Sequence, residues 1–99
     1  MLIYQYYGMY PIIFLLLIHQ LARVNNIRDE AYLKAFGKNL RLIRKRQGFS
    51  MEKLALDAGI EYSQIFDIEH GKINTTISTV RVIAKALKIP EKDLFDFNA

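Results

Sequence analysis

Residues 50–71 read SMEKLALDAGIEYSQIFDIEHG, and the reading of the fold starts from their spacing. Ala55 is followed four residues later by Gly59, and Ile65 comes six after that. A small residue at 55 lets one helix cross another closely. Gly59 can take the left-handed backbone conformation that a tight turn needs. Ile65 then fills the angle between the two helices. Such a unit holds its second helix against the body and leaves that helix's outer face free for a major groove. On spacing alone, a helical hairpin in an ordinary bundle matches the same pattern.

Working outward, the rest of the chain supplies short amphipathic helices. Leu33, Phe36, Leu40 and Ile43 recur at helical spacing and predict a first helix from about Ala31 to Gln47, stopped by Gly48. Ser50 is a good N-cap for a second, with Glu52 in its first turn to favour the helix dipole. A third runs from about Glu61 to His70, burying Ile65 and Ile68, and ends at Gly71. Thr76 caps a fourth that buries Val80, Ile83, Ala84 and Leu87. Pro90 suits the first turn of a last short helix, Glu91 to Phe95. No stretch alternates with period two for long enough to suggest a sheet, so the expected class is all-α, with residues 31–99 forming the domain.

Charge is unevenly placed. The 99 residues carry a net +4, but Met1 to Ala22 contains no Asp, Glu, Lys or Arg. Lys34 to Lys88 carries 11 basic and 5 acidic residues, a surplus that attracts polyanions, nucleic acid first among them. There is no cysteine, which excludes disulfides, thiolate metal sites and a cysteine nucleophile. His19 and His70 stand far apart in sequence with no ligand partners beside them, so no metal is expected. Neither a nucleophile-elbow pattern nor a phosphate-binding glycine loop occurs, and no enzyme, cofactor or small-molecule substrate is expected.

The stretch from Leu40 to Phe95 resembles the Cro/cI-type (XRE) family of phage-repressor-like regulators. The likeness rests on Arg44 with Gly48 and Ser50, Leu54-Ala55 with Gly59-Ile60, and Ile68-Glu69-His70-Gly71-Lys72. Ala84-Lys85-Ala86-Leu87 and Leu94-Phe95 complete it. The resemblance implies a five-helix domain that binds double-stranded operator DNA as a homodimer in the cytoplasm, typically as a repressor. It places base reading on Tyr62, Ser63, Gln64, Phe66 and Asp67 of the third helix. Gln suits adenine, Asp can accept from a cytosine amino group, and Phe or Tyr can pack on a thymine methyl. Arg44 and Glu69 match a structural ion pair tying the first helix to the end of the third.

Phosphate contacts are expected from Lys38, Arg41, Lys45 and Arg46, and from Ser50, Met51, His70 and Lys72 around the reading helix. The plain alternative for the four on the first helix is a solvated outer face. Three residues depart from the family pattern: Met51 stands where glutamine is usual, Asp67 puts negative charge beside the DNA, and Phe66 puts a large apolar ring on an outer face. They motivate a second reading, a protein-interaction module, antitoxin-like or scaffolding, that keeps the fold without reading DNA.

Residues 1–30 form an apolar segment and a polar joint. As a helix, residues 1–22 would span about 33 Å, enough for a bilayer core. Arg23 and Arg28 beyond its end would place the domain in the cytoplasm. Against an anchor, Gln5, Gly8, Pro11, His19 and Gln20 leave Ile12–Ile18 as the longest strongly apolar run. A membrane anchor, a helix packing on the domain or on a second subunit, and sequence upstream of the true start stay open as readings.

Overall fold

The computed structural model describes residues 10–25 and 27–98, and every regular element among them is helical. The helices are α1 (Tyr10–Asn25), α2 (Glu30–Arg46), α3 (Met51–Ala58), α4 (Tyr62–Glu69), α5 (Ile77–Leu87) and α6 (Glu91–Leu94). The last five make the expected five-helix domain.

Their ends follow from local chemistry. Asp29 accepts the Tyr32 amide at 3.0 Å, Ser50 Oγ the Lys53 amide at 3.0 Å, and Thr76 Oγ1 the Thr79 amide at 3.2 Å. Each satisfies one of the amides that a helix start leaves unpaired. Gly59 closes α3 in the left-handed region, φ 72°. Lys88 closes α5 in that same region with no glycine to ease it, a stop that the sequence does not signal. Pro90 is the N-cap of α6 rather than part of its first turn, and Phe95 is its C-cap.

The core is built where these helices meet. Phe36, Leu40, Leu54, Ala55, Ile65, Ile68, Val80, Ile83, Ala84, Leu87 and Leu94 are buried together. α4 packs on α2 and α3, α5 on α3, and α6 bridges α2 and α5. The Asn39 amide fastens α6 by donating to the carbonyls of Asp93 and Leu94, both at 2.9 Å. The joint before α2 is tied to the loop after α4: Arg28 donates to the Lys72 carbonyl at 3.1 Å, and Asn74 to the Ile27 carbonyl at 3.0 Å.

α1 keeps Ile12 to Ile18 exposed. Among the described residues no helix is long and apolar enough to cross a membrane. Of the apolar stretch considered for an anchor, residues 1–9 lie outside the described residues.

Candidate nucleic-acid interface

α4 is held along its inner side and free along its outer one. Ile65 and Ile68 sink into the core, with 0% and 2% of their surfaces exposed. At its C-terminal end the Arg44 guanidinium grips Glu69 through two bonds, Nε to Oε2 at 2.6 Å and Nη2 to Oε1 at 2.9 Å. A third bond runs from Nη1 to the Phe49 carbonyl at 2.7 Å, so the same guanidinium also holds the turn between α2 and α3. Both side chains are buried. The hydrogen bonds that Arg44 donates to the Glu69 carboxylate raise the Arg44 pKa above its ordinary value, against the opposing effect of burial.

Two glycines let the chain close on this pair, in packing roles that the spacing pattern does not reveal. A Cβ on Gly37 would lie 2.3 Å from the Ile68 carbonyl oxygen, so only glycine allows α2 to cross the end of α4 this closely. Gly71 turns the chain at φ 67° with its Cα against Lys34, where a Cβ would stand 2.7 Å from that side chain. A signal for Gly37 is present in the sequence: a glycine inside a strongly periodic helix costs about 1 kcal/mol against alanine and calls for a packing reason.

Tyr62, Ser63, Phe66, Asp67 and His70 share the outer side of α4, within an arc of about 140° at about 100° per residue. Tyr62, Ser63 and His70 are exposed, while Phe66 and Asp67 are half-buried. Gln64 is half-buried at the margin of this arc, beside Ile68. Phe66 is not the open apolar ring that the sequence suggests. The His70 ring stacks on it at 3.9 Å, tilted by 20°, and Lys72 Nζ stands 5.1 Å from its centre. His70 Nδ1 lies 2.8 Å from the Phe66 carbonyl oxygen. Since a carbonyl only accepts, Nδ1 carries the proton.

The residues expected at phosphates divide. Met51 is half-buried and packs against the core, and its thioether has no hydrogen to donate to a phosphate. Arg46 lies on the side of α2 opposite Gly37 and Arg44, where it lines a groove with Asp93 and Asp96. Lys38 borders a groove with Phe97 and Asn98, toward the C-terminal residues. Arg41 and Lys45 are exposed nearer the α4 side of α2. Ser50, His70 and Lys72 are exposed around α3 and α4. Ser50 Oγ accepts the Lys53 amide, which leaves its hydroxyl proton free to donate.

Comparison with known proteins agrees with this fold. The family described as helix-turn-helix domain matches residues 37–98. The chain is 39% identical over 74 residues to control protein C.BamHI of Bacillus amyloliquefaciens, covering 74% of this chain and 85% of that protein. It is 33% identical over 61 residues to the HTH-type transcriptional regulator SlrR of Bacillus subtilis, covering 61% of this chain and 40% of that one. Among solved structures, the restriction-modification controller protein C.AhdI of Aeromonas hydrophila superposes with a TM-score of 0.65 at 35% identity. That match covers 66% of this chain and 98% of C.AhdI.

Proposed function

The chain belongs to the helix-turn-helix family of DNA-binding transcriptional regulators, and on that premise we propose that it binds a specific operator as a homodimer. The observation that carries this reading is the outer face of α4, which presents side chains from a helix fixed by Ile65, Ile68 and the Arg44–Glu69 fork. Rigid support of this kind is what positions side chains against base edges in a major groove. Tyr62, Ser63 and Asp67 offer hydroxyl and carboxylate groups there, with Gln64 reaching in from the margin. Ser50, Arg41, Lys45, His70 and Lys72 supply phosphate contacts.

The dimer surface we assign is the apolar face where the start of α2 meets α5 and the turn after α6. Ile77 is 89% exposed, Phe95 44% and Tyr32 41%, all around Val80. Thr75 Oγ1 is buried beside them without a hydrogen-bond partner among the described residues. At the edge Arg81 donates to Glu91 and holds that carboxyl below its ordinary pKa. None of these residues lies on the outer face of α4, so a second copy here leaves both reading helices free.

C.BamHI is named a control protein and C.AhdI a restriction-modification controller. We extend that role to this chain, which places its work on DNA in the cytoplasm. Selection of bound fragments from random DNA, followed by electrophoretic shift, tests the reading. One enriched palindromic motif is expected, with half-sites about 34 Å apart. No enrichment and no shift at low salt overturns it. The rival reading, a module that binds only protein, loses one of its three supports, because Met51 packs inward.

A further inference from the structure

We propose that Phe66 reads the 5-methyl group of a thymine in each operator half-site, as a specificity-determining residue held ready by His70. The inference rests on the DNA-binding reading above and names what one residue of that face recognises. Phe66 shares its arc of α4 with Tyr62, Ser63, Asp67 and His70, so a base edge meeting this face meets the ring. The ring has no donor or acceptor. In the major groove of unmodified DNA, the thymine methyl is the one apolar group that an aromatic side chain can distinguish from the other bases.

The ring also arrives preorganised. Its face is stacked by His70 at 3.9 Å, and His70 is itself fixed by the bond from Nδ1 to the Phe66 carbonyl at 2.8 Å. Lys72 Nζ, 5.1 Å from the ring centre, adds a cation to the same cluster. A side chain immobilised before binding loses little further freedom when it meets DNA, so more of a small apolar contact appears as affinity. With one face stacked by His70, the part of the half-buried ring that stays exposed is what meets a methyl group.

The test uses the full chain and the operator that it selects. Each thymine of a half-site is replaced in turn by deoxyuridine, which deletes the methyl group and keeps every hydrogen-bonding group. The expected result is one position per half-site at which uracil weakens binding by about fourfold, the worth of one buried methyl-sized group. The same replacement has no effect on Phe66→Ala, whose folding is checked by its thermal midpoint. Phe66→Leu, which keeps an apolar contact, retains part of the discrimination. If uracil is tolerated at every thymine, or if the uracil penalty persists unchanged in Phe66→Ala, the methyl contact is overturned while the regulator reading stands. A selected half-site without thymine overturns it in the same way. If no sequence is selected at all, both fall together.

Discussion

Arg44 and Glu69 meet as a parallel two-bond fork, 2.6 and 2.9 Å, with 7% and 1% of their side chains exposed. Twenty-five residues apart in sequence, they join α2 to the end of α4. Buried fork pairs of this kind are strong only while both partners remain, because either charge alone has lost its water. Arg44→Met or Glu69→Leu is therefore expected to cost about 3–5 kcal/mol in urea unfolding. The double replacement recovers most of that loss, since no charge is then stranded. Equal, additive losses would sink this account.

Gly37 and Gly48 make a contrast that sequence propensity alone inverts. Gly48 has the left-handed φ of 75°, with nothing within 4 Å of the place a Cβ would occupy. Its replacement by alanine costs about 1–2 kcal/mol, the backbone penalty alone. Gly37 sits in an ordinary helix, where alanine is usually favoured, yet its Cβ would stand 2.3 Å from a backbone oxygen. Gly37→Ala is expected to lower the thermal midpoint more than Gly48→Ala. A stabilised Gly37→Ala protein would mean that α2 and α4 do not cross this closely.

Salt dependence separates the basic residues that touch DNA from those that do not. Lys72→Ala should weaken binding about equally for all sequences and reduce the slope of log affinity against log salt by about 1. Arg46→Ala should leave that slope unchanged, because Arg46 lines a groove with Asp93 and Asp96 on the side of α2 away from α4. Ser63→Ala should instead relax preference at one base position, at unchanged slope. Fluorescence-anisotropy titrations at a series of salt concentrations measure all three.

Ile77 is 89% exposed and contributes little to the core. Ile77→Lys is expected to leave the thermal midpoint of the isolated domain fold near its starting value while converting a dimer to a monomer in sedimentation. Affinity for the full palindrome should fall toward that for one half-site. A native chain that sediments as a monomer at micromolar concentration removes the dimer surface from the account.

Much of this protein is legible in one dimension because its signals are local. Helix starts at Ser50 and Thr76 follow from a hydroxyl three residues before an unpaired amide. The turn at Gly59 follows from a backbone conformation that side chains resist, and the stripe through Phe36 and Leu40 from helical period. Lys88 gives no such signal, because its left-handed stop carries no glycine.

The sequence by itself determined the helix-turn-helix, since cap, glycine and apolar spacing act within a few residues of one another. Only the tertiary structure decided what the scaffold makes of its surface. It packed Met51 against the core, set Arg46 against α6, pressed Gly37 onto the Ile68 carbonyl, and stacked His70 on Phe66. The first three depend on how helices distant in sequence are placed around one another. The last depends on which rotamers leave two nearby rings in contact, and periodicity specifies neither.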